Sequence, residues 1–387
     1  GNDTLTSIEN IIGTTFNDSL IGNEENNIIS GGAGDDKLTG NGGADNLKGE
    51  AGADTFIQTG TLGDTTGDII DGGSELDNSR GNDTVDYSAL SSANGIKVVL
   101  NDTGLANVDV ANSLDDHQLT NIENIIGSAG TDTIEGDSAD NILNGFSGTN
   151  DTLSYSNSLN GVYVNLSTTN INNIDIDGDG DIDNINASTA TGTGLGIDTV
   201  TNFDDILGSN SSDTLVGDDV SNTINGAGGN DILVGAGGAD SLIGGIGNDT
   251  VSYAIDSSGV NVSLRNASAT DGSGNIDQFD SIENVLGSLY NDTIEGNTSN
   301  NILDGGAGID TLTFENAIAG VSVNLANETN NTGNDGTDII RNFENLKGTA
   351  LVDNLSGNSD SNEIYGLAGN DTLNGLSGDD LLFGGTG

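Results

Sequence analysis

The chain has 387 residues, with 61 acidic against 7 basic side chains and a formal net charge of −54, which excludes nucleic acid as a partner. Hydrophobic residues make up 33% and aromatic residues 4%, while 61 positions are Gly, so the apolar volume falls short of two conventional globular cores and a normal enzyme is not expected. Without Cys, Met, Trp or Pro there is no disulfide framework, no thiolate nucleophile and no Cys-based zinc site. Low hydrophobicity with this charge describes a chain that stays unfolded until something neutralises its carboxylates and replaces the missing core, and multivalent cations do both. The longest purely apolar pieces are as short as Val98-Val99-Leu100, against the ~20 residues needed to span a bilayer. The chain starts at Gly1 without a targeting segment and stops inside a Gly-rich phrase at Gly387, which reads as an excised fragment of a longer protein.

In chain order, SIENIIG at 7–13 leads into five nine-residue phrases that never slip in phase: GTTFNDSLI, GNEENNIIS, GGAGDDKLT, GNGGADNLK and GEAGADTFI, ending at Ile57. Four further runs follow at 127–155, 208–253, 287–314 and 348–387, introduced by NIENIIG, NFDDILG, SIENVLG and NFENLKG. Spacers occupy 58–126, 156–207, 254–286 and 315–347, each with a strand of alternating Val and Leu: GIKVVLN, GVYVNLS, GVNVSLR and GVSVNLA. The polar stretches beside them, such as Thr168 to Asp198 and Asn266 to Gln278, are expected to project as loops. From the Gly that opens a run to the Asp of its closing Asp-Thr pair the separation is 41, 24, 41 and 23 residues for Asp54, Asp151, Asp249 and Asp310. Those values differ by 17 or 18, so phrases are added in pairs, and one coil holds about 18 residues with a turn on each side. No helical period and no break in composition appear, so 1–387 reads as one elongated all-β solenoid.

Within GGAGDDKLT the glycines supply positive φ and turn the chain tightly, leaving carbonyl oxygens free to face the bend. Asp36, sixth in the phrase, adds a carboxylate, and Leu38 points inward from a short strand. Such an oxygen cage suits a hard cation that accepts six or more ligands, calcium better than magnesium. The phrase resembles the RTX, or haemolysin-type, calcium-binding repeat, GGxGxDxUx with U a large aliphatic residue. The resemblance implies a right-handed parallel β-roll with Ca2+ between turns on one side, hence between phrases i and i+2, and on the order of ten ions or more. It pairs Asp36 with Asp54, Asp213 with Asp231, Asp231 with Asp249 and Asp353 with Asp371, and by the same rule Asp18 with Asp36 and Asp292 with Asp310. Asp45, Asp132, Asp240 and Asp380 complete the ligands expected at the sixth position. The second phrase of every run departs, placing Asn27, Asn141, Asn222, Asn301 and Asn362 where the family has Asp; those turns either coordinate through an amide oxygen or are closed by Asn ladders.

A separate signal lies in the spacer at 156–207, where Asp175, Asp177, Asp179 and Asp181 surround Gly180 with the spacing of a loop that wraps one ion, without flanking helices or a final Glu. It is either a calcium loop or a solvated acidic insertion. For the repeat turns the competing arrangement is a metal-free solenoid whose Asp and Asn cap their own turns. Carboxylates stacked about 4.8 Å apart would repel strongly, which favours cations. Tyr87, Tyr155, Tyr253 and Phe314 are expected in the core, and His117, the single histidine, in solvent. One imidazole assembles no catalytic dyad, and abundant carboxylates make any one pair uninformative, so no catalytic residue is assigned.

These residues point to a secreted, extracellular or cell-surface calcium-binding repeat region, unfolded in low cytosolic calcium and folding outside. Type I export is implied by the resemblance alone. Three roles stand open: a rod or spacer in an adhesin, surface layer or filament; a non-catalytic secretion and stability module of an exported hydrolase; and a glycan- or ice-binding surface. The partners expected are calcium ions, with self-association or a surface glycan, and neither nucleic acid nor a membrane span.

Overall fold

The structure is a computed structural model that describes residues 8–59, 67–73, 81–101, 105–111, 116–180, 182–333 and 335–387. Among the described residues there is no helix, and nearly every strand is three to six residues long. The length follows from the phrase itself: a Gly-rich turn takes six residues, which leaves three for a strand before the next turn begins. Successive phrases alternate between two sheets, so a strand pairs in parallel with the one about 18 residues on, as Leu20 with Leu38 and Ile29 with Leu47. The fold is a parallel β-roll. Two compact units are present, Gly1–Tyr155 with Ser188–Leu207, and Ser156–Ala187 with Gly208–Gly387.

In the first unit one column of inward side chains runs Leu20, Leu38, Phe56, Val85, Ile125, Leu143 and Val200, and another runs Ile11, Ile29, Leu47, Ile70 and Leu119. In the second unit the rows are Val164, Leu215, Leu233, Val251, Val285, Leu303 and Ile340, and Val262, Ile294, Leu312, Leu346 and Ile364. These are the eighth-position apolar residues of the phrases and their spacer counterparts, and all but Ile11 and Leu20 at the first coil are buried. One side chain per nine residues makes a core one residue thick on each sheet, enough to fix register, since a slip of one residue would turn every Leu outward. Tyr87, Tyr155, Tyr253 and Phe314 are buried as expected.

The spacers depart from the sequence-based expectation. They keep the roll going with their Val-rich strands: Val98 aligns with Ile134, and Val323 with Leu355. Their polar stretches contain antiparallel strands, such as Ile171–Ile174 with Asp183–Ile185 and Ser268–Thr270 with Ile276–Asp280. The stretch after Thr168 does not simply project. Ile171, Ile176 and Ile185 pack on Val216 and Val234 of the roll, because the insertion carries enough Ile to bury its own face. His117 is likewise buried, not solvated. It sits on the strand His117–Thr120, stacks on Tyr87 with ring centroids 5.6 Å apart, and has Nδ1 3.2 Å from the Tyr87 hydroxyl. A polar partner inside the core removes the cost of burying its nitrogen.

Candidate metal centre

Every repeat turn brings its sixth residue under the coil before it. The Asp18 amide donates to Asp36 Oδ1 at 2.7 Å, and Asp36 to Asp54 Oδ1 at 2.8 Å. Asp213 donates to Asp231 and Asp231 to Asp249, both at 2.9 Å. The Asp292–Asp310 and Asp353–Asp371 pairs are linked the same way at 2.8 and 3.0 Å. Asn27, Asn222 and Asn362 donate to Asp45, Asp240 and Asp380 in the opposite turns. Each of these accepting carboxylates spends Oδ1 on a backbone N–H 18 residues earlier, and the turns differ in what Oδ2 meets.

In turns of the first type, the second and fourth residues of the phrase have positive φ: Gly32 and Gly34 before Asp36, Ala227 and Gly229 before Asp231, Ala236 and Gly238 before Asp240. The same backbone precedes Asp45, Asp54, Asp310, Asp371 and Asp380, while Asp249 has it at Gly245 only. Close approach adds to the demand for Gly: a Cβ on Gly229 would lie 2.4 Å from the Ser211 carbonyl carbon. Among the described residues no donor reaches Oδ2 of Asp36, Asp231, Asp240, Asp249, Asp310 or Asp371, and each of these atoms is buried. A buried carboxylate oxygen without a donor is unstable on its own. Burial pushes Asp231, Asp240 and Asp310 up to about 7, with neighbouring carboxylates adding to the rise, and it raises Asp36 and Asp249 in the same direction.

In turns of the second type, a hydroxyl at the second position meets the carboxylate. Ser209 donates its amide to Asp213 Oδ2 at 2.7 Å and its hydroxyl to Oδ1 at 2.8 Å. Ser128 and Asp132, Ser288 and Asp292, and Thr349 and Asp353 repeat this pattern. Asp18 accepts both the amide and the hydroxyl of Thr14 on Oδ2. The third type carries Asn: Asn141 Oδ1 takes the Asp137 amide at 2.8 Å while Nδ2 donates to the Glu123 carbonyl at 2.8 Å, and Asn301 and Asn362 do likewise with Glu283 and Glu344. Neither type has a positive φ at its second or fourth residue. In these turns the Asp and Asn side chains thus cap their own turns through hydrogen bonds.

Several members of the ladder were not picked out from the sequence. Asp151 takes the place expected at the sixth position, accepting the Asp132 amide at 2.9 Å, but one extra residue in GFSGTND shifts it out of phase. Burial pushes it up to about 6. Glu283 and Glu344 of the introductory phrases accept the amides of Asp249 and Asp310 and close their runs; Glu123 does so for Asp83, and Asp204 for Asp151. The repeated Glu of the IEN phrase was the available signal. Spacer residues Asp198, Asp277 and Asp338 continue the opposite column, and the first two also accept the buried Tyr155 and Tyr253 hydroxyls.

The spacer loop brings together Asp175, Asp177 and Asp183, with carboxylate oxygens within 4.8 Å of one another. Asp175 also accepts the amides of Gly178, Asp179 and Gly180. Asp179 is not part of this group, Asp183 is an addition to the residues expected, and Asp181 lies outside the described residues. Burial pushes Asp177 up to about 6.

Comparison with protein families gives the same reading. A model of four RTX calcium-binding nonapeptide repeats matches residues 3–38, 12–47, 21–56, 120–153, 201–233, 216–251, 279–312 and 352–387, together just over half of the chain. The chain belongs to the RTX calcium-binding nonapeptide repeat family. No curated protein matches it. The RTX matches cover the nonapeptide runs and leave most of each spacer outside. Among the described residues no helix is long and apolar enough to cross a membrane. As an RTX repeat region the chain binds calcium, and the buried Oδ2 atoms of the first turn type are an independent structural fit for it.

Proposed function

We propose that this RTX region folds on calcium outside the cell and serves as a rod or spacer in a surface adhesin, surface layer or filament. The observation that carries the calcium-dependent folding is the set of buried carboxylate oxygens that no protein donor reaches, on a chain of net charge −54. Asp36, Asp231, Asp240, Asp249, Asp310 and Asp371 hold the ions through those atoms, with Asp45, Asp54 and Asp380 in turns of the same backbone. A bound cation supplies positive charge where the folded chain gathers negative charge. The chain's own contribution is geometric: Gly and other left-handed residues bend each turn, the amide of the preceding coil orients Oδ1, and the aliphatic strand fixes the rise between coils. The carboxylates of Asp175, Asp177 and Asp183 form a further proposed ligand group on the spacer loop.

Folding coupled to metal means that at cytosolic calcium the chain remains extended and exportable, while at the millimolar level it becomes ordered. The rod or spacer role is supported by the uniformity of the coil and by the scarcity of any feature suited to chemistry. Circular dichroism and hydrodynamic radius, measured in chelator and in 5 mM calcium at low micromolar protein, test the folding. Equal compactness in both conditions would end the proposal, and sedimentation at high calcium separates a monomeric spacer from a self-associating filament.

A further inference from the structure

We propose that, among the repeat turns, metal binding is confined to those with left-handed second residues, and that the opening coil of every run is sealed by its own side chains and takes no ion. This rests on the calcium reading above and divides the repeats it treats alike. The dividing feature is what the second residue of the phrase does. In 208–213 that residue is Ser209, whose amide and hydroxyl occupy both oxygens of Asp213, and the Val162 amide adds a third bond to Oδ1 at 2.8 Å. In 226–231 the second residue is Ala227 in the left-handed region, with no hydroxyl to offer, and Oδ2 of Asp231 is left to a cation. A carboxylate already holding three donors has exchanged the water it lost for protein hydrogen bonds, and a cation there would have to displace them. The next phrase replaces the carboxylate altogether. Asn222 brings no charge, and its Oδ1 accepts the Asp218 amide at 2.9 Å, so little is left to attract a divalent cation.

The same order recurs in all five runs: a Ser or Thr turn, then an Asn turn, then the left-handed turns, of which 145–151, with Phe146 in the left-handed region, carries one extra residue. Ser128 shows that the second residue decides, because Gly130 stands fourth in that phrase and yet has no positive φ; its amide donates to the Ser128 hydroxyl at 2.9 Å instead. At the far side, Glu283 and Glu344 accept the last Asp amides of their runs, so the ladder ends on a protein carboxylate. In these two runs the ion-holding turns are therefore bounded on both sides by groups that need no metal. The sealed coil presents a formed edge, at low calcium, on which the next turns are laid.

The test counts ions on the full chain by native mass spectrometry at saturating calcium, comparing Asp213→Asn and Asp292→Asn with Asp231→Asn and Asp310→Asn. The first pair is expected to keep the wild-type ion count, with whatever midpoint shift it shows arising from the lost acceptor oxygen and not from a lost ion. The second pair is expected to lose at least one ion each and to raise the midpoint severalfold. Equal losses in both pairs overturn the division while leaving calcium-dependent folding intact, whereas a wild-type chain that binds no calcium overturns the earlier reading itself. Hydrogen exchange on the wild type covers the case in which a variant fails to fold. At sub-saturating calcium the Ser209, Ser288 and Thr349 amides should already be protected while amides in 226–249 still exchange. Exchange at the same rate in both sets until saturation counts against the proposal.

Discussion

Gly228 and Gly229 are neighbours in one turn, and the same one-carbon change at each should have opposite effects. Gly229 has φ +130, and a Cβ there would stand 2.4 Å from the Ser211 carbonyl carbon and 2.6 Å from the Ser212 amide nitrogen. Both obstacles are backbone, so neither can rotate away. The strained φ alone costs roughly 1–3 kcal/mol for a residue with a side chain. Separating two coils held by the Asp213-to-Asp231 amide bond adds on the order of another 1–2 kcal/mol. Gly228 lacks a positive φ, and its Cβ would meet nothing closer than Asn210 Oδ1 at 3.6 Å, an ordinary contact. There Ala should stabilise by about 0.4–1 kcal/mol through the unfolded chain. Urea unfolding of both variants at saturating calcium, followed by circular dichroism, should place Gly229→Ala about 2–5 kcal/mol below wild type and Gly228→Ala at or above it. Equal effects, or the reverse order, would refute the argument that the left-handed fourth residue builds this turn.

Leu233 lies fully buried between Leu215 and Val251, so Leu233→Ala should lower stability by about 3 kcal/mol in the same assay, and a loss below about 1 kcal/mol would mean that the row is not a packed core. Glu283→Ala should cost about 1–2 kcal/mol by stranding the Asp249 amide, with Glu283→Gln retaining most of it; thermal unfolding distinguishes the two. Burial pushes Asp198 and Asp338 up to about 6, only partly offset by the donors they accept, Asn141 N–H and the Tyr155 hydroxyl for the first and Asn301 N–H and the Thr332 hydroxyl for the second. A carboxyl whose folded value lies above its unfolded value of 3.8 favours the fold while protonated, and that contribution is lost as pH rises through about 6. Asp198→Asn should accordingly gain on wild type by up to about 2 kcal/mol between pH 4.5 and pH 7.5 at saturating calcium, and a pH-independent difference would contradict the assignment.

Much of the fold could be read from the chain because a nonapeptide with one aliphatic side chain has only one place to put it. Leu38, Leu233 and Leu355 were bound to point inward once the period was known, and the spacing of 18 fixed which carboxylate lies beneath which amide. Asp36 and Asp54, and Asp292 and Asp310, which the RTX resemblance pairs across one coil, are joined by hydrogen bonds between residues 18 apart. Local repetition determines local geometry, and a solenoid is little more than local geometry repeated.

What the sequence left undecided depended on groups distant along the chain. Asp213 and Asp231 occupy the same place in the same phrase, and only the folded turns show one satisfied by Ser209 and Val162 and the other with a buried, donor-free oxygen. Gly130 illustrates the point, because a glycine permits positive φ without requiring it, and the Ser128 hydroxyl settles the matter. His117, read as solvated, found Tyr87 from thirty residues away, and the isoleucines after Thr168 found Val216 and Val234 across the spacer. Periodicity fixes where each side chain stands along the roll, but desolvation and hydrogen bonding between coils decide what it does there.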